Sequence, residues 1–187
     1  MAINAPIKVI ALGFEDGDLS VATLTSPESV SASGVGDVVS RLDASLAAGL
    51  PLNDLGQALS GFQVVQPAPL DLVCNGPCNI VYWLHFKNWR FCAVGYRVKY
   101  GDPRVLVNIR TQGATSNALA CDNLFYRTKV DDVAVDTGVE LDLMTELVGL
   151  PSPIGSPQRA VPITIDPGTK NEGHEEPPAT PPDFTPG

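Results

Sequence analysis

From Phe62 onward the chain is a succession of short runs rich in Val, Ile and aromatic residues: FQVV, LDLVC, NIVYWLHF, RFCAVGYRVKY, RVLVNIRT and LFYRTKV, separated by Pro, Gly, Asn or Asp. Runs of this length and composition form strands, and the residues between them form turns. This texture commits the middle of the chain to sheet. The 17 Gly and 17 Pro residues point the same way, because they suit many short elements better than a helical bundle.

Ahead of the sheet region, IKVIALGFEDGDLSVATLTS reads as a hairpin, with an apolar run at Ile7–Leu12, turn chemistry in EDGD, and alternation at Leu19, Val21 and Thr23. A helix is predicted from about Asp37, where Val38, Val39, Leu42 and Leu46 share a face and Gly49 ends the pattern. A shorter helical pattern holds Leu52, Leu55 and Leu59 and stops at Gly61. In YRVKYGDPRVLVNIR, Tyr96, Val98 and Tyr100 alternate with Arg97 and Lys99 before a Gly-Asp-Pro turn, which predicts an antiparallel pair. VELDLMTELVGLPSP fits a short helix or a strand equally. From Pro151 prolines recur, and the acidic end DPGTKNEGHEEPPATPPDFTPG has almost no apolar anchors of its own. The expected fold is therefore α+β and β-rich. A single globular domain over 1–150 would hold an antiparallel sheet, sandwich- or barrel-like, with one or two packing helices, and an extended Pro-rich C-terminal arm would cover 151–187.

At 187 residues, 44% hydrophobic and 18% charged, the chain has material for one sizeable core. No apolar run reaches the length of a membrane span, and the first residues lack a basic stretch followed by a long apolar one. The expectation is a soluble product without a signal peptide, cytoplasmic at synthesis, where cysteines stay reduced unless the protein ends in a released particle. The net charge of −9 is unevenly spread: −5 over 1–70, +5 over 71–130 and −9 over 131–187. Such blocks can satisfy each other within one chain or between copies.

The stretch CNGPCNIVYWLHFKNWRFC, residues 74 to 92, gathers three of four cysteines, both tryptophans and one of two histidines. Cys74, Cys78, His85 and Cys92 are a legitimate ligand set for zinc by type, but the C-x3-C-x6-H-x6-C spacing departs from compact zinc modules. A disulfide among them, or with Cys121, is a second reading, since the NGP turn brings Cys74 near Cys78. The third is simple packing, because free cysteine is among the most buried residue types. Seven of the twelve aromatic residues fall between Tyr82 and Tyr100, inside the basic block. Trp83, Lys87, Trp89, Arg90, Tyr96, Arg97, Lys99 and Tyr100 are accordingly the candidates for an interface, being of the types that dominate binding surfaces.

Catalytic signatures are missing from the sequence: there is no G-x-S-x-G, no H-E-x-x-H and no phosphate-binding glycine loop, and Cys74 or Cys92 with His85 lacks a third orienting group. The expected function is a non-enzymatic assembly component that docks protein partners, as a homo- or hetero-oligomer, through the basic aromatic sheet and the C-terminal arm. A capsid, tail or other virion-like particle would suit it, and no cofactor is required. The alternative is a small nucleic-acid-binding module whose basic aromatic sheet is stabilised by cysteine and histidine, with or without zinc. Its difficulty is a sequence pI near 4.5, which weakens attraction to phosphates.

Overall fold

The computed structural model describes residues 3–130, 133–150 and 159–172. Two strands open the chain, β1 (Ala5–Glu15) and β2 (Asp18–Val30), followed by α1 (Ala32–Ala47), a 3-10 turn at Leu52–Asp54 and the single-turn α2 (Leu55–Ala58). Then come β3 (Gln63–Val65), β4 (Leu72–Cys74), β5 (Cys78–Leu84), β6 (Trp89–Gly101), β7 (Leu106–Gln112) and β8 (Ala118–Asn123). A hairpin of β9 (Arg127–Val130) and β10 (Val133–Asp136) precedes β11 (Gly138–Leu150), β12 (Arg159–Ile165) and β13 (Gly168–Asn171).

The strands form two large sheets. The first has the order β3-β2-β1-β5-β8-β7; in the second, β12 and β13 flank β11 on one side, β4 follows β13, and β6 takes the other edge of β11. Both are mixed: β1 runs parallel to β5, and β13 parallel to β4, so the expected purely antiparallel sheet is corrected. Neither sheet closes into a barrel. Among the described residues no helix is long and apolar enough to cross a membrane.

The alternation of β1, β5 and β8 explains the layering. Val9, Ala11, Val81, Trp83, Ala118 and Ala120 face α1 and α2, where Val35, Val38, Val39, Leu42, Leu55 and Leu59 meet them. Ile10, Leu12, Ile80, Tyr82, Leu119 and Cys121 face the second sheet, against Trp89, Phe91, Leu141, Leu143 and Ile165. β5 has a partner on each edge and a layer on each face, so all seven of its residues are buried. That is why CNIVYWL shows no polar alternation, as strands covered on both faces do not.

Several expectations are met. The hairpin of β1 and β2 pairs from Glu15↔Asp18 inward, and Gly49, at φ +75°, stands just past the end of α1 in the left-handed region that closes helices. The helix, however, starts five residues before Asp37, with Ser31 as its cap, its Oγ accepting from Gly34 N. Gly34 looks like turn punctuation in the sequence, but a Cβ there would fall 2.5 Å from Val30 Cγ1, so glycine lets the first turn sit against the end of β2.

Other expectations are overturned. Gly-Asp-Pro does not turn a hairpin: β6 pairs with β11, β7 pairs with β8, and the tripeptide carries the chain from the second sheet to the first. Gly101 has φ +95° and lies so close to the Gly138 carbonyl that a Cβ would fall 2.1 Å from its oxygen. Asp102 then caps the 3-10 turn Pro103–Val105 by accepting from Arg104 N, and the Arg104 guanidinium holds its carboxyl well below the usual carboxylate range. The ambiguous 139–150 segment is a strand, fixed by ladders on both sides. The boundary at 150 also moves, because β12 and β13 belong to the second sheet and extend the folded body to Asn171. Pro162 fits because β12 is an edge strand. The rest of the expected arm, 151–158 and 173–187, lies outside the described residues.

Trp83 bolts the helix layer to the sheet: its Nε1 donates to Asp43 Oδ1 of α1 at 3.0 Å. Trp83→Phe keeps most of the ring volume and removes that bond to a charged acceptor, so a loss of about 1.5–3 kcal/mol is expected in urea unfolding. An unchanged midpoint would show that the bolt carries no load.

Candidate functional site

The turn His85–Asn88 between β5 and β6 ends one side of the molecule. Asn88 has φ +69°, a left-handed conformation that Asn tolerates, and its carbonyl accepts from Val148 N of β11 at 2.8 Å. The turn thereby leans on the second sheet. Trp89 points inward, with Nε1 donating to Thr145 Oγ1 at 2.8 Å and its ring 4.7 Å from that of Phe14. Phe86 packs edge-on against Phe14 at 5.9 Å yet remains 45% exposed.

These groups wall a cleft of about 750 Å³. The end of α1 supplies Asp43, Leu46 and Ala47, the turn supplies residues 86–90, the loop before β8 supplies residues 114–117, and β11 supplies Val148. An adjoining hollow of about 550 Å³ shares Asn88, Arg90 and Val148 and adds Arg159. Asp43 is the keystone of one wall, since its carboxylate accepts from Trp83 Nε1, Asn117 Nδ2 at 2.7 Å and Ala114 N at 3.1 Å. Its charge is thus occupied by three donors. Lys87, Arg90 and Arg159 supply positive charge to the cleft and hollow, with Arg90 also bonded to Glu146 at 2.7 Å.

The interface candidates separate into three groups. Trp83 and Trp89 are core residues at 0% and 1% exposure, which corrects the expectation that they present their rings to a partner; each lies on an inward position of a strand with its N–H satisfied inside. Lys87 and Arg90 border the cleft. Tyr96, Arg97, Lys99 and Tyr100 lie along the second half of β6, where Tyr96 is half-buried and Tyr100 is 73% exposed.

Five cations of the basic block are matched inside the chain. Arg90, Arg97, Lys99, Arg104 and Arg110 each have a carboxylate partner, namely Glu146, Asp142, Asp166, Asp102 and Asp122. Arg90↔Glu146 and Arg97↔Asp142 are direct cross-strand neighbours of β6 and β11. Three of those carboxylates, Glu146, Asp142 and Asp166, come from the acidic last third of the sequence, which thus supplies part of the counter-charge of the basic middle.

The cysteine and histidine set Cys74, Cys78, His85 and Cys92 is not brought together. His85 follows the end of β5, with Nε2 donating to Leu50 O at 2.7 Å, whereas Cys74 ends β4 and Cys78 begins β5, at the strand's other end. Among the described residues no group of three or more His, Cys, Asp and Glu side chains is placed to hold a metal ion. All four cysteines are free thiols. The NGP turn does bring Cys74 and Cys78 together, but at 3.2 Å between sulfurs they share a hydrogen bond, not the covalent bond of about 2.05 Å. That bond pulls the Cys74 thiol down and pushes Cys78 up, and burial pushes Cys121 and Cys92 up. Sequence reasoning missed Asp43 and Asn117, which are 40 and 34 positions from Trp83 and carry no local signal.

Two measurements follow. Cys92 is the one thiol with appreciable exposure, so a thiol reagent on native protein is expected to label it first and the other three only on unfolding; a fast phase that survives Cys92→Ser would contradict this placement. Burial lowers the His85 pKa below its usual value of about 6.5, so the folded form favours the neutral ring. Its contribution to stability is complete above about pH 6.5 and is lost as pH falls through the lowered folded value. His85→Asn is expected to flatten that acid limb of the stability profile, and an unchanged slope would assign it to other groups. The chain matches no protein-family model and no curated protein.

Proposed function

We propose that the protein is a non-enzymatic building block that associates with copies of itself, a subunit of a larger assembly such as a virion-like particle. The observation that carries this reading is the second half of β6. Among the described residues β6 pairs with a strand on one edge only, and along it Val94, Val98 and Tyr100 are 72%, 37% and 73% exposed. An edge strand bearing apolar side chains is a template for association, and proteins that stay single usually blunt such edges with charge. Here the charges on the strand, Arg97 and Lys99, are already neutralised by Asp142 and Asp166 of the same chain.

The same pairing argues against nucleic acid as the partner. Phosphates would have to displace carboxylates from Arg90, Arg97 and Lys99, and both tryptophans that would stack on bases are in the core. At the cleft, the Asp43 carboxylate is held by three donors, which suits a structural role in its wall.

Sedimentation of the purified chain over a range of concentrations tests the proposal. Association is expected to deepen with concentration and to weaken by about tenfold or more in Val94→Lys with Tyr100→Lys, both fully surface changes. A chain that sediments as a monomer throughout, or whose association ignores both substitutions, would sink it.

A further inference from the structure

The cleft at the β5–β6 turn has the chemistry of a peptide groove. Its floor and wall are apolar, with Leu46, Val148 and the exposed ring of Phe86, and its rim and the adjoining hollow are basic, with Lys87 and Arg159. Aromatic-lined grooves take polyproline segments, whose extended form costs little entropy to hold, and basic rims select acidic ones. The chain contains one segment of that description. Residues 173–187, GHEEPPATPPDFTPG, carry three carboxylates (Glu175, Glu176, Asp183), no Lys or Arg, five prolines and one aromatic, Phe184. The core PPATPP includes a P-x-x-P spacing, which places two prolines on one side of a polyproline helix.

We infer that the cleft receives the acidic, proline-rich segment 173–187 of a neighbouring copy. This rests on the assembly reading above and names a second contact within it. Placement supports a neighbour as the donor. The segment follows β13, whose last residue Asn171 is paired with Cys74, and Glu172 N donates to Cys74 O at 2.7 Å. Cys74 adjoins the start of β5, and the cleft adjoins its end, roughly 20 Å away at about 3.3 Å per residue. The donor point and the receiving groove thus sit at opposite ends of the molecule, the arrangement that links copies head to tail. Fifteen residues in polyproline form span about 45 Å, ample to enter an adjacent copy. Two carboxylates lie near the groove without opposing an acidic guest: Asp43 is engaged by three donors, and Glu146 is bonded to Arg90.

The test uses the full chain with two readouts. In the first, a fluorescent peptide of residues 173–187 is titrated with protein and followed by anisotropy. It is expected to bind, to weaken with rising salt, and to bind about tenfold less tightly to the Lys87→Glu, Arg159→Glu double variant. In the second, that double variant and a Glu175→Lys, Glu176→Lys chain are each expected to associate less than the parent in sedimentation, and their mixture to recover association, because the reversed charges match again. A peptide that does not bind, or binds the double variant equally, overturns the inference. So does a parent chain that refuses the peptide while the monomeric Glu175→Lys, Glu176→Lys chain accepts it, since the segment then fills its own cleft. Association that ignores the charge swaps but is lost with Val94→Lys and Tyr100→Lys removes this contact and leaves the assembly reading intact. Peptide binding that depends on Lys87 and Arg159 in a chain that is monomeric at every concentration keeps the groove's preference and overturns assembly.

Discussion

Strand β5 is hydrogen-bonded along both edges and packed on both faces, and the rest of the molecule is arranged to keep it dry. Its odd and even positions belong to different cores: Val81 and Trp83 to the helix side, Ile80 and Tyr82 to the inter-sheet side. Because side chains alternate with a period of two, a slip of one residue would exchange the two sets and leave neither core filled. The buried polar groups around the strand point the same way. Asn79 Nδ2 donates to the carbonyls of Ala5 and Val30, at the paired ends of β1 and β2, so the register of three strands is pinned by one amide.

What the sequence discloses and what it hides follow the range of the forces involved. The first hairpin, the body of α1 and the buried character of NIVYWL are visible because each rests on periodicity within a dozen residues. The start of α1 is hidden because Gly34 answers to Val30 across a helix–strand contact. The Gly-Asp-Pro crossover is hidden because whether β6 turns back on β7 depends on β11, which begins at Gly138, far along the chain, offering a better partner. β8 escapes notice because ALACDN is built of small residues chosen to fit under helices and between sheets, with little strand propensity of its own. β12 and β13 are disguised by Pro162 and by the charged residues Arg159 and Lys170, which interrupt the apolar pattern. The basic turn at Lys87 and Arg90 is legible from its residue types, whereas the wall opposite, built by Asp43 and Asn117, exists only in three dimensions.

The distribution of charge links the fold to its surface. A basic middle and acidic ends read as a dipolar chain, and in the folded molecule part of that polarity is discharged across β6 and β11, through Arg90–Glu146 and Arg97–Asp142. Exposed ion pairs of this kind contribute little each, about 0–1 kcal/mol, so their main effect is on what the surface leaves unmatched. The apolar positions of β6 and the two cations Lys87 and Arg159 beside the cleft are what remain, and they lie on different parts of the molecule. Under the proposed reading, two unlike contacts would allow extended assemblies, where a single self-complementary patch would stop at a pair.

The cleft is assembled from four stretches centred near residues 45, 88, 115 and 148, and none of them shapes it alone. Its walls meet only after α1 has docked on the first sheet and the second sheet has closed over the other side of β5. Contacts so distant in sequence form late in folding. A half-folded chain therefore has no groove to offer, and a ligand shaped for the groove would recognise finished chains and be blind to those still on the way.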